Sequence, residues 1–212
     1  MALRILPFRQ YSETDVINMF ALDAAHVGDS TTGTTNGDAG VFVTTSAGNL
    51  NLDTIIYDNA YGNYLGKTDY AFVGGNSYPR VSLSVKPATS GDGLLGMTLY
   101  QTAKTDENGE KLLYYPQKAA ELQCVLPGQS VPIATRGFFT ITDGAYVGAI
   151  GIGSGLKLPN GVSGKLTGCA MVDPTRVAMV IATGSRTVST SVPDQFAGTG
   201  SSSYAIIALG MV

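Results

Sequence analysis

The chain reads as mainly β: a β-barrel or sandwich of short antiparallel strands, with an extended N-terminal arm and at most one short helix. Three observations predict this class. Arg80–Lys86 alternates cleanly, with Val81, Leu83 and Val85 on one face and Ser82, Ser84 and Lys86 on the other. Asn-Gly pairs at 108–109 and 160–161 supply the positive-φ turns that reverse strands. The stretch Val125–Ile141 carries two short apolar runs, Val131/Ile133/Thr135 and Phe139/Ile141, separated at Gly137. Gly at such a break predicts a bulge or a close backbone approach.

Residues Met1–Gln10 have no helical period and contain Pro7, so they read as an extended arm. Asp15–Leu22 is ambiguous. Ser12 with Asp15 resembles a capping box, while Val16, Asn18, Phe20 and Leu22 alternate, and the β context favours a strand. Gly28–Gly40 holds nothing that can pack a core and reads as a surface loop. Val41–Thr44 and Asn49–Tyr57 read as strands. Tyr57, Tyr61, Tyr64 and Tyr70 are interleaved with Gly and Asn. Tyrosine brings contact area and a hydrogen-bonding tip, which suits an interface or a cover over local core.

Leu94–Thr105 and Glu110–Tyr115 read as the arms of a hairpin with its tip at Asp106–Gly109. Pro116–Leu122 has Pro at a first-turn position followed by helix formers, enough for one or two turns. Pro127-Gly128 turns the chain into the central stretch, and Pro132 removes a ladder donor, placing its strand at a sheet edge or at its own start. Further strands are expected over 145–152, 156–158, 162–167, 176–182 and 204–209, with a long exposed loop over Gly184–Gly200. The domain reading is an arm and loop over 1–38 and a β domain over 39–212, either one unit or two lobes dividing near 116. No fixed-period repeat is present in the sequence.

Composition narrows the function classes. The chain has 212 residues, enough for a sizeable core, with 44% hydrophobic but only 14% charged residues. Few charges and many small polar residues suit a protein that resides in a large assembly. A net charge of -3 without Lys/Arg clusters argues against nucleic-acid binding. No apolar run is long enough for a membrane helix. Met1–Phe8 has no signal-peptide core, so synthesis in a cytosol is expected.

No chemistry rises above background. His26 is the only histidine and has no nucleophile motif beside it. The glycines at 148, 151, 153 and 155 lead into another strand-like run rather than a helix, so they read as a β connection rather than a phosphate loop. The aspartates sit mostly in turns, where they bond their own backbone. Cys124 and Cys169 lack metal-site spacing and read as two small apolar thiols, their redox state open. No catalytic, cofactor or metal residue is assigned.

The segment Lys118–Phe139, in which a turn Gly128 precedes Val131-Pro-Ile-Ala-Thr-Arg-Gly-Phe138, resembles the β-barrel head-decoration (cement) proteins of tailed phages. Leu156–Thr167 and Arg176–Ala182 fit the later parts of that pattern, and Met1–Tyr11 is similar to virion proteins of marine, cyanophage-like phages. The resemblance implies a non-enzymatic structural virion protein on the capsid surface, assembled in the host cytoplasm. Its implied partners are the major capsid protein and itself, as a homotrimer, with no cofactor, nucleic acid or membrane. The arm residues Leu3, Ile5, Leu6 and Phe8, and Tyr57, Tyr61, Tyr64 and Tyr70, are then the interface candidates. Trimer contacts would hide open edges such as the strand of Pro132. The alternative is a phage tail, fibre or carbohydrate-binding adsorption module, in which the same tyrosines stack on sugars. A glycan hydrolase is the least favoured reading.

Overall fold

A computed structural model describes residues 4–23, 26, 28–30, 37–46, 81, 83–187 and 201–210. It is mainly β, with sandwich-like sheets, one short α-helix and no closed barrel. In chain order the strands are β1 (Ile5–Gln10), β2 (Val16–Ile17), β3 (Ala21–Leu22), β4 (Gly28–Ser30), β5 (Phe42–Thr45), β6 (Ser84–Pro87), β7 (Gly96–Thr98) and β8 (Gln101–Thr105). The helix α1 (Pro116–Glu121) follows, then β9 (Cys124–Val125), β10 (Ile133–Ala134), β11 (Gly137–Thr142) and β12 (Tyr146–Val147). The last four are β13 (Gly155–Lys157), β14 (Leu166–Cys169), β15 (Ala178–Thr187) and β16 (Ser201–Leu209).

A seven-stranded sheet has the order β1-β11-β16-β15-β13-β14-β12, and a six-stranded sheet the order β2-β10-β7-β5-β6-β3. The second sheet curls. Val16–Ile17 pair with β10 at one end, Ala21–Leu22 pair with β6 at the other, and Ala21 bridges Ser130 between them. This curl explains the run Val41-Phe42-Val43, all fully buried without alternation. Phe42 packs with Phe139, Ile141 and Ile207 between the sheets, while Val41 and Val43 join Val85, Val131 and Ile133 in a second cluster. A strand buried on both faces reads as a continuous apolar run.

The arm is extended over Ile5–Gln10, and it packs as a strand of the seven-stranded sheet. β1 pairs with β11, Ile5 lies opposite Ile141 in the main core, and Arg4 is buried beside Asp38. Residues 4–23 contribute β1 to the seven-stranded sheet and β2 and β3 to the six-stranded sheet. Of the two placements expected for Pro132, the strand start is the one observed: Pro132 immediately precedes β10, which lies between β2 and β7 rather than at an edge. It offers no edge for a second copy to cover.

The hairpin is real only at its tip. Asp106 N–H donates to Glu110 O, Gly109 has φ of 82°, and Thr105 bridges Lys111. The return arm then becomes a 3-10 turn, Leu112–Tyr114, because Leu112 is drawn into a small cluster with Ala103 and Cys124. The first arm breaks at Leu99–Tyr100 and passes from the six-stranded sheet to a three-stranded one, β4-β8-β9. A division near 116 would cut through this small unit, since α1 sits at that point with Pro at its first turn.

The segment Ser12–Ile17 combines both readings offered for it. Ser12 caps a 3-10 turn over Glu13–Asp15 that runs directly into β2. β15 extends to Thr187, into the start of the loop expected over Gly184–Gly200, and β16 begins at Ser201, ahead of the strand expected from Tyr204. The strand expected over 145–152 is reduced to Tyr146–Val147. The expected strand over 49–57 lies outside the described residues.

Candidate interaction surface

The interface candidates separate on exposure. Ile5 is buried at 7% and faces the core, so it is withdrawn as a surface residue. Leu6 is half-buried. Phe8 is 80% exposed on the edge strand β1. The ladder slips between Ile5 and Arg9, and Pro7 falls in the slip, which blunts an otherwise open edge. Leu3, Tyr57, Tyr61, Tyr64 and Tyr70 lie outside the described residues.

Three further apolar projections were not anticipated. Val172, at 91% exposure, sits on the turn between β14 and β15 beside Met171. The turn is locked. The Asp173 carboxylate accepts from the Thr175 backbone N–H at 2.9 Å, from its hydroxyl at 2.6 Å and from Lys157 Nζ at 2.9 Å. Arg176 Nη1 donates to Met171 O at 3.0 Å. The Thr175 hydroxyl, followed by Lys157, holds the Asp173 carboxyl far below the usual carboxylate range. Ile152, 70% exposed, lies on the turn into β13, and Gly153 N–H beside it donates to Val180 O. Both turns therefore present aliphatic side chains on fixed backbone, where little conformational entropy is lost on contact. The sequence signal was a Met-Val pair before Asp-Pro, an apolar pair in a turn.

The third projection is Tyr114–Tyr115, 55% and 48% exposed, which with α1 line a cleft of about 520 Å³. Buried Leu112 anchors the 3-10 turn beneath them. Lys118 bridges the unit by bonding Asp106 and, at 3.2 Å, Glu110 Oε2. Asp106 also accepts from the backbone N–H groups of Asn108 and Glu110. The Asp106 bond pushes Lys118 up to about 12, and Lys118 is the main cause of the lowered Asp106 value.

Reactive chemistry is sparse. No three His, Cys, Asp or Glu residues gather as metal ligands among the described residues. Both cysteines are free. Burial pushes the Cys124 thiol up to about 11 and, with Asp173, raises Cys169, which keeps both protonated at neutral pH. His26 is half-buried, and its backbone N–H donates to Asp23 O. Among the described residues no helix is long and apolar enough to cross a membrane. Comparison with protein-family models, with curated proteins and with solved structures returned no match to this chain.

Proposed function

We propose that the chain is a structural virion protein, a head-decoration protein that binds the exterior of a phage capsid as an oligomer and stabilises the shell. The observation that carries this reading is Val172, 91% exposed on a turn fixed by Asp173 and Arg176. A rigid β frame displaying aliphatic and aromatic side chains, in a chain with only 14% charged residues, suits lasting contact with other protein. The resemblance of Lys118–Phe139 to cement proteins supports the same role. The partners in this reading are the major capsid protein and further copies of the chain, a homotrimer, located on the capsid surface. The role needs no catalytic step and no cofactor.

Immunogold electron microscopy of virions from the phage encoding this chain tests the proposal. Label spread over mature heads supports it. Label confined to tails or fibres favours an adsorption module instead. Unlabelled virions overturn both.

A further inference from the structure

A polar groove of about 580 Å³ lies where the apolar face of β15 and β16 runs out. Register explains its floor. Thr183 pairs with Ala205, and Ser185 with Ser203, and directly opposed residues share a face. Along that face Ile207 and Ala205 are core, after which the side chains become hydroxyls: Thr183, Ser185 and Ser203. One wall comes from the chain that leaves β11. Ala145 is buried in the core, which holds Asp143 and Tyr146 at the rim. Tyr146 and Ser203 both line the groove, the tyrosine at its wall and the serine on its floor. Tyr204 leaves the groove open, because its ring packs over Gly184, where a Cβ would come within 2.3 Å of it.

The groove pairs two aromatic residues, Tyr146 and Tyr204, with one carboxylate and three aliphatic hydroxyls. The Asp143 side chain is exposed, and its carboxylate accepts no hydrogen bond from the other described residues. Among the described residues no Lys or Arg lines the groove, which disfavours phosphate, sulfate and carboxylate ligands. The hydroxyl floor disfavours a purely apolar ligand. A pyranose fits: an apolar ring face for Tyr146, and adjacent hydroxyls that donate to a carboxylate and exchange hydrogen bonds with serine and threonine. The volume lies within the range of small-molecule sites.

We propose that this groove is a binding site for a neutral saccharide, with Tyr146 stacking on the ring and Asp143 accepting from two adjacent hydroxyls. The site goes beyond shell binding and does not depend on it, since it is formed within a single chain.

The test is an array of neutral, sialylated and sulfated glycans, probed with the full chain displayed multivalently to raise weak affinities by avidity. Binding confined to neutral glycans is expected. Asp143→Asn is expected to lower the signal tenfold or more, and Tyr146→Ala to abolish it. Tyr115→Ala, in the other cleft, is expected to leave it unchanged. Because Tyr146 also packs on the core, exposed Asp143→Asn is the decisive variant, checked by an unchanged melting temperature. Absence of neutral-glycan binding, preference for acidic glycans, or full binding by Asp143→Asn overturns the assignment. The assay contains no particles, so its failure is separate from that of the capsid reading.

Discussion

Arg4 and Asp38 face each other at 3.7 Å, Nε to Oδ2, with each side chain only 6% exposed. Arg4 Nη1 also donates to Gly164 O at 3.3 Å, while Asp38 O accepts from Thr98 Oγ1. The pair ties the start of β1 to the turn before β5 and to the loop before β14. Burial lowers the Arg4 value, and Asp38 opposes that shift by stabilising the charge. Asp38→Ala leaves the guanidinium buried without its counter-ion and is expected to cost about 3–5 kcal/mol. The double variant Arg4→Met/Asp38→Leu is expected to lose less than Asp38→Ala alone. Urea unfolding of the parent and the two variants measures this, and a double variant that loses as much as Asp38→Ala or more would contradict the account.

Gly137 has φ of 140°, and a Cβ there would meet Gln10 O at 2.7 Å and Tyr11 Cβ at 2.8 Å. Tyr11 is held over this point by stacking on Phe139, with centroids 5.8 Å apart. Gly137→Val is therefore expected to destabilise by about 2–4 kcal/mol through steric overlap and backbone strain. Gly151 has nothing within 4 Å of its would-be Cβ. Gly151→Ala is expected to stay within about 0.5 kcal/mol of the parent. Equal melting temperatures for the parent and Gly137→Val would refute the close-approach account.

These two positions also show what was legible in the sequence. Gly137 announced itself because it interrupts an apolar alternation, a local signal. The burial of Arg4 and Ile5 gave no such signal, because their partners lie far along the chain and the local pattern showed an extended arm without naming what it packs on. Leu112 and Leu113 looked like strand residues, yet the small cluster beneath Leu112 and the following Pro116 favour a 3-10 turn and α1. Ser185 and Ser203 lie on a strand face that has left the core, so β15 and β16 read as loop over those residues. The groove was illegible for the same reason: its hydroxyls break the apolar pattern by which strands are recognised.

The Lys118 bridge is expected to make the small unit around α1 sensitive to pH at both extremes. Asp106 is lowered from 3.8 in the folded chain, so its stabilising contribution is present above that value and is lost as pH falls through the lower folded value. Lys118 is raised from 10.5 to about 12, so its contribution is complete below 10.5 and is lost as pH rises through about 12. At neutral pH, Lys118→Met is expected to speed amide exchange at Asn108 and Glu110, with β15 and β16 unchanged. Uniform loss of protection across the chain would contradict a local bridge.

Both thiols are expected to be free and slow to react. In denaturant, a thiol reagent should titrate Cys124 and Cys169 fully without prior reduction, since both are free in the fold. In the native state, buried Cys124 should react only on the timescale of opening, with half-buried Cys169 ahead of it. Rapid native reaction of Cys124 would show that the cluster of Ala103, Leu112 and Cys124 opens readily.

Phe8 separates folding from shell contact on β1. Deleting residues 1–10 removes the partner of β11, the core side chain Ile5 and the counter-ion of Asp38, so the truncated chain is expected to unfold at lower temperature. Loss of capsid binding in that truncation therefore carries no information about contact. Phe8→Ser alters a ring that is 80% exposed, and is expected to leave the melting temperature within a few degrees of the parent. If β1 lies against the shell, Phe8→Ser weakens binding to capsids about tenfold or more in cosedimentation, as expected for a buried aromatic anchor. Undiminished cosedimentation would move the contact away from β1, towards Val172 and Ile152, where Val172→Ser and Ile152→Ser are the corresponding variants.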